Sequence, residues 1–587
     1  MTQAESSDGR ALVRFGPVAL VVASSALFLG LGLHQAWRDS ATFDEPVYVS
    51  AGLAAVVHHD LTYNEEHPIG PKVLAALAVL TVHPVIPANG GWNSNDERTY
   101  SAAFVQAQLH AGTMRAVTFS SRLVPLLESV VLAFVLFALG SRLFGRAAGA
   151  VAGSLWLLSP FVLGLSHLDS LNVPFALAVC CWSWALLVFL RRPSTRHTVV
   201  LGLATAGAVL SDVTGLLMVG LGVLVMVVAA RRNAPPAGAP PDGAPPDGAL
   251  PAGAPPRPRG PALRQAALMV LVALGATWAV YAALDPSVLL TPASILPKPY
   301  LGGMSYLWQH DTVAAPGYLL GQAYEGGRWW YWPGALVLKT VPTTLVFLLV
   351  GLGTFIGLER TTRRRAFAVV VLPALCLTAF ALTMPRDIGL RSLAPVIALW
   401  LVAASSLVPV LARRVIGLVA LGGLIALAGA ATVLSSPDSL AWSAPPFTPS
   451  YRVLTNSDVD WGQSFTQLEA WSVGKHPRVS YFGPRGLGVV TLPGARRLVG
   501  TSPSRVTGWV AVSATNLTSA ERAPLAWLRA YCPVGQLGHS ILLYDFDRPP
   551  SARPGPAAPV GFCPAGATVS TRTSQKAGRT RTPEGTG

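Results

Sequence analysis

Long apolar blocks separated by short polar stretches run along most of the chain. A block of about 20 apolar residues is long enough to cross the hydrocarbon core of a bilayer. The first lies at about residues 13–33, and others centre near residues 128, 156, 181, 204, 222, 274, 346, 375, 402 and 424. The pattern predicts an all-α polytopic membrane bundle of about eleven spans. His34-Gln35-Ala36-Trp37-Arg38 follows the first block directly, without a small-residue cleavage site, so that block reads as an uncleaved span rather than a signal peptide.

The arginines orient the bundle. With the N-terminus inside, one side collects Arg142 and Arg146, Arg191, Arg192 and Arg196, then Arg231, Arg232, Arg257, Arg259 and Arg264. Arg360, Arg363 to Arg365, Arg413 and Arg414 fall on the same side, as the positive-inside rule requires. The expected organisation is a cytoplasmic N-terminus at 1–12 and a transmembrane module at 13–434. Within the module lie a long first outer loop at 35–116 and a Pro/Gly/Ala linker at 234–260 that cannot bury a core. Residues 435–548 form a small α+β outer C-terminal domain, with strands at 506–512 and 540–544 and a short helix at 465–471; residues 549–587 are a disordered tail. Trp329-Trp330-Tyr331-Trp332 reads as an anchor at the membrane interface.

Composition agrees: 51% of residues are hydrophobic and 12% charged, against roughly 25% charged in soluble domains. The net charge of +15 resides in arginine clusters between apolar blocks, which serves topology and gives no reason to expect nucleic acid. Cys180, Cys181 and Cys376 lie in apolar blocks, leaving Cys532 and Cys563 for a bridge.

Candidate chemistry gathers on the predicted outer face. Thr42-Phe43-Asp44-Glu45-Pro46 sets two carboxylates beside the first span. Thr42 and Glu45 have capping-box spacing, and a helix start is also a rigid mount for a general base. Next comes Glu65-Glu66-His67-Pro68-Ile69-Gly70-Pro71-Lys72, ahead of an apolar run. Only five lysines occur against 38 arginines, and Lys72 and Lys339 sit at the outer ends of apolar runs. Cations there either snorkel or partner a lipid phosphate. The short outer turns carry His167 with Asp169, and Asp212; Arg386 and Arg391 break the positive-inside trend, which suits an anion better than topology. A carboxylate to take an acceptor's proton, with cations to meet a departing anion, fits loss of a phosphate leaving group. Walker, GxSxG, HExxH and paired CxxC motifs are lacking, and no convincing metal-ligand set is visible, so no cofactor is predicted. Asn516-Leu517-Thr518 is a formal glycosylation sequon.

In this order the motifs resemble the C-type membrane glycosyltransferases, and within them glycosyltransferase family 39 and its bacterial relatives. The matching pieces are Asp44-Glu45, His67-Pro68-x-x-x-Lys72, Asp169, Lys339-Thr340-Val341-Pro342, and Gly389-Leu390-Arg391 with Pro395. Asp458-Val459-Asp460-Trp461-Gly462-Gln463 and Gly538-His539-Ser540-x-x-x-Tyr544 look like recurrent pieces of the outer C-terminal region. Ile69-Gly70 stands where the family has Pro-Leu, and Asp212 where relatives often carry a lysine. The resemblance implies an inverting transfer of a sugar from a polyprenyl-phosphate carrier to a protein, lipid or glycan acceptor at the outer face of a bacterial plasma membrane. Asp44 would be the base and Glu45 its neighbour; Lys72, Lys339 and Arg391 would meet the carrier phosphate. His67 belongs to the substrate-binding set, and Asp169 to the acceptor or sugar pocket. The alternatives are a multi-span transporter or lipid flippase, against which stands the one-sided placement of ionisable groups, and a non-catalytic scaffold sensing through its outer domain.

Overall fold

A computed structural model describes residues 4–88, 96–232, 260–290, 294–387, 389–518 and 520–550. The predicted linker (all but its last residue) and the tail from 551 lie outside them. Eight described helices are long and apolar enough to cross a membrane, or nine if one bent pair counts as a single span, rather than the expected eleven. The shortfall is local. The stretch near residue 204 forms a helix of 17 residues, Thr195–Ser211, and that near 346 one of 15, Pro342–Ile356. At a rise of 1.5 Å per residue both fall short of the roughly 30 Å of hydrocarbon.

The chain opens with α1 (Ala4–Arg38), α2 (Glu45–Val57), α3 (Ile69–Leu80), α4 (Glu97–Ala111) and α5 (Met114–Phe144). The predicted first outer loop is therefore helical: three short helices lie between two spans. After α5 come α6 (Arg146–Leu157) and α7 (Pro160–Ser166), bent by 61°. Pro160 cannot continue the helix, and Ser159 Oγ accepts from Val162 N to start the next. α8 (Asn172–Arg191) and α9 (Thr195–Ser211) follow. Peripheral spans turn large apolar side chains outward, among them Leu271, Val419 and Leu434, 66%, 68% and 82% exposed. Lipid supplies their missing contacts, because hydrocarbon is as apolar as leucine.

Without a hydrophobic drive between helices, close packing holds the bundle together. α5 and α6 meet through Gly149-x-x-x-Gly153. A Cβ on Gly149 would stand 2.2 Å from the Phe137 carbonyl oxygen, and one on Gly153 2.5 Å from that of Ala133. The departure at Gly70 has the same cause, since a Cβ there would meet the Leu210 carbonyl of α9 at 2.7 Å. Asp212 caps the turn after α9, accepting from the Thr214 amide at 2.8 Å and its hydroxyl at 2.6 Å.

A two-stranded hairpin, β1 (Pro316–Leu319) and β2 (Gln322–Glu325), precedes the C-terminal sheet. That sheet has five strands in the order β4-β3-β5-β7-β6, from β3 (Arg478–Ser480), β4 (Arg496–Arg497), β5 (Gly508–Ser513), β6 (Gly535–Leu537) and β7 (Ile541–Phe546). β3 runs parallel to β4 and β5, while β7 is antiparallel to β5 and β6. The helix Phe465–Ser472 packs on it through Phe465 and Leu468. Cys532 is disulfide-bonded; Cys563 lies outside the described residues. Asn516 is buried and donates to Ser480 Oγ at 3.0 Å, so its sequon is closed to modification. In the aromatic run, Trp329 is exposed but Tyr331 and Trp332 are buried within the protein, a correction to the anchor reading for those two.

Gly149→Val should drive α5 and α6 apart and lower the thermal midpoint of the detergent-solubilised protein, at a cost of about 1–3 kcal/mol or more. Gly353→Ala, whose Cβ would meet nothing within 4 Å, should leave it unchanged or raise it.

Candidate active site

Burying a charge is costly unless it is paired and hydrogen-bonded, and the centre of the site answers that demand. Glu45, the first residue of α2, is 3% exposed, and Arg122, eight residues into α5, is fully buried. Arg122 Nε donates to Glu45 Oε1 at 2.8 Å and Nη2 to Oε2 at 2.7 Å. The remaining donors of Arg122 go to the carbonyls of Ala36, Asp39 and Ser40, at 2.9, 2.7 and 2.7 Å. Glu45 also accepts from the amides of Thr42 and Asp169, each at 2.7 Å. Half of the capping box thus forms: the carboxylate reaches back to Thr42, while the Thr42 hydroxyl is buried without a partner. Burial alone would raise the Glu45 carboxyl, but Arg122 and the two amides hold it below the usual range. Both its oxygens are committed, so Glu45 fixes the end of α1, the start of α2 and the Asp169 turn against α5.

Asp169 lies beneath this pair, 4% exposed, with Oδ2 unpartnered. Burial, with Glu45 and Glu128 adding to it, pushes its carboxyl well up, against the opposing pull of Arg122. His167 is held at both nitrogens, by the Leu163 carbonyl at 2.9 Å and Asp39 Oδ2 at 3.1 Å.

Asp44 is differently placed. Its side chain is 15% exposed, with Oδ1 3.3 Å from Arg98 Nη1 and Oδ2 3.9 Å from Arg391 Nη1. Arg98, from α4, also lies over the Phe43 ring at 4.2 Å, and Phe43 stacks on Phe482 at 4.8 Å. Arg391 lies over Trp461 at 4.2 Å, its Nε buried and unpartnered beside a cavity of about 10 Å³, room for one water at most.

The Asp458-to-Gln463 motif sets this geometry. Asp458 Oδ1 accepts from the Leu390 amide at 3.0 Å and Oδ2 from the Tyr331 hydroxyl at 2.7 Å. Gly389, with φ +124°, lets the chain pass where a Cβ would stand 2.3 Å from Ser457 Oγ. The Trp461 carbonyl accepts from the Phe43 amide at 2.9 Å, and that of Gln463 from Ser40 at 3.0 Å. One motif therefore ties the segments bearing Arg391 and Asp44 together.

The two lysines are spent inside the protein. Lys72 donates to the carbonyls of Asn64 and His67, at 2.7 and 2.6 Å, and reaches Asn64 Oδ1 at 3.4 Å. Lys339 donates to those of Leu440, Trp442 and Asp458, at 2.8, 2.6 and 2.5 Å. Burial lowers both to about 8, opposed by Glu66, Glu97 and Glu65 around Lys72 and by Asp458 at Lys339. Snorkelling does not occur, and with three donors each already used neither lysine faces an open phosphate position. The Lys72-held loop presents Asn64 to both Glu66 and Glu97, at 3.0 and 2.8 Å, and leaves His67 edge-on to Tyr48. Burial raises both carboxyls, with Asp44 adding to the rise at Glu66 and Glu66 adding to the rise at Glu97. Arg386 points elsewhere, its Nε donating to the Val313 carbonyl. Among the described residues, no group of three or more His, Cys, Asp or Glu side chains is placed to hold a metal ion.

Arg98 and Arg122 were missed in the sequence. Arg98 breaks the positive-inside trend as Arg391 does, and Arg122 is a charge inside an apolar span, a pattern that marks function or obligatory pairing.

Arg122→Met should cost about 3–5 kcal/mol, because Glu45 is left charged and unpaired, and the double variant Arg122→Met/Glu45→Met should recover much of that loss. Thermal unfolding of the single and double variants measures the cycle.

Residues 102–236 match the family model for dolichyl-phosphate-mannose-protein mannosyltransferases, a segment that includes Arg122 and Asp169 but not Asp44, Arg98 or Arg391. No curated protein matches the chain in sequence. Among solved structures, it is similar to ArnT from Cupriavidus metallidurans bound to undecaprenyl phosphate, at 16% identity and TM-score 0.45, over 74% of this chain and 68% of that one. It is also similar to the archaeal oligosaccharyltransferase AglB from Archaeoglobus fulgidus, in complex with an inhibitory peptide and a dolichol-phosphate. That match has 13% identity and TM-score 0.45, over 88% of this chain and 72% of the other. The match to that family model over residues 102–236 agrees with the resemblance read from the motifs, and the eight or nine described spans make this a multi-pass membrane protein.

Proposed function

We propose that the protein transfers a sugar from a polyprenyl-phosphate carrier to an acceptor at the extracytoplasmic face, with inversion, using Asp44 as general base. The observation that carries this reading is the Asp44 carboxylate, partly open and flanked by the guanidiniums of Arg98 and Arg391. The acceptor oxygen attacks the anomeric carbon on the face opposite the phosphate. As that bond forms, the bond from the carbon to the phosphate oxygen breaks, Asp44 takes the acceptor's proton, and the lipid phosphate departs as an anion. Arg391 suits the phosphate: its plane is held on Trp461, its Nε has no protein partner, and a fixed guanidinium meets two phosphate oxygens at once. Arg98 holds Asp44 and the Phe43 backbone. Glu45 and Asp169 act from behind as positioning residues, and Lys72 and Lys339 shape the walls. An N-terminus inside the cell puts this end of the bundle outside, in agreement with the arginine clusters at the other.

The test incubates the purified protein with a panel of polyprenyl-phosphate sugars and follows release of the lipid phosphate. Turnover with one donor supports the reading; none with any donor, in the presence of peptide, lipid and glycan acceptors, overturns it. Asp44→Asn should fold normally and lose about 10²–10⁴-fold in transfer rate; wild-type transfer by it would exclude Asp44 as base. Arg391→Gln should weaken donor use, read as a fall in kcat/KM for the lipid-linked sugar, with little change in thermal midpoint.

A further inference from the structure

The end of the bundle away from Asp44 holds a second concentration of charge. α5 carries Arg122 in its first third and Arg142 in its last turn, and α8 begins three residues after Asp169 and ends at Arg191. Between those ends lies a cavity of about 450 Å³ lined by Arg142, Trp184, Val188, Arg191, Arg192 and His197. None of the six is acidic. Trp184, Val188 and Arg191 follow the i, i+4, i+7 spacing of one helical face, so an apolar wall leads along α8 to a cationic rim. His197 approaches the Arg192 carbonyl at 2.6 Å and Ser194 Oγ at 3.0 Å, both through Nδ1. Arg191 donates to the Arg142 carbonyl, which brings the two helix ends together. Orientation in the membrane requires only that arginines lie on this side; it does not require that they converge on a cavity with tryptophan in its wall.

We propose that this cavity binds the phosphate of an anionic membrane phospholipid in the leaflet opposite the sugar-transfer site. The guanidiniums meet the phosphate oxygens, and Trp184 and Val188 pack against the glycerol and the first acyl carbons. A free phosphate would use the rim and leave that wall empty, which favours the lipid. Basic pockets between helix ends are a known form of headgroup site, and this one is independent of the chemistry at Asp44.

The full-length protein in detergent, titrated with phosphatidylglycerol or phosphatidylcholine and observed by native mass spectrometry, provides the test. The expected result is a preferred first phosphatidylglycerol that phosphatidylcholine does not replace. In R191Q/R192Q its affinity should fall about tenfold or more. In R413Q/R414Q, which removes the same charge from exposed positions at the same end of the bundle, it should stay within roughly twofold. Equal losses in the two variants would reduce the effect to overall charge and overturn the proposal. So would displacement of the bound lipid by inorganic phosphate at about 10 mM, or equal binding of the two lipids. Val188→Trp, which fills the cavity and keeps every charge, should also weaken the first lipid, and unchanged binding would count against the site.

Discussion

The site depends on an ion pair that cannot be left half made. Arg122 is fully buried within an apolar span, and only a carboxylate in bidentate contact, with backbone carbonyls on its other donors, compensates for the loss of water. Glu45 provides that contact and spends its remaining lone pairs on two amides from different segments. Four pieces of chain are thereby fixed around one charge: the end of α1, the start of α2, the first third of α5 and the turn after α7. Asp44 owes its position to this arrangement. It is the neighbour of a residue that cannot move, and its own side chain keeps 15% of its surface exposed.

The C-terminal domain supplies the other half of the frame. Trp461 is bonded through its backbone to Phe43 and carries Arg391 on its ring, while Asp458 holds the amide before Arg391 and the Tyr331 hydroxyl. The domain is thus a wall of the site, not an appendage to it. Its contribution is positional: Phe482 stacks on Phe43, whose ring lies under Arg98, and Trp461 carries Arg391, which stands 3.9 Å from Asp44 while Arg98 pairs with it at 3.3 Å.

Short motifs in the sequence name residues that the fold brings near one another, but they blur what each side chain does there. Adjacent Asp44 and Glu45 look equivalent on paper, yet one is saturated and the other is open, because successive residues at a helix start face different directions. Lys72 and Lys339 look like phosphate ligands for their scarcity and placement, but each folds back on three oxygen acceptors of its own protein. An unsatisfied ammonium in the interior costs more than those bonds restrict. Arg98 drew no attention because its partner, Asp44, is 54 residues away.

The sequence by itself determined that the chain crosses a membrane repeatedly, since unbroken apolar runs leave the backbone no other way to satisfy its hydrogen bonds in lipid. It also indicated the mixed C-terminal domain, through short strand-like runs, and an order of motifs that resembles a family matched over residues 102–236. Tertiary structure alone decided which runs are long enough to span, which charges are spent on one another, and which remain partly exposed. The physical reason is that hydropathy is local and additive along the chain, whereas the state of a buried charge depends on partners that only folding brings within 3 Å.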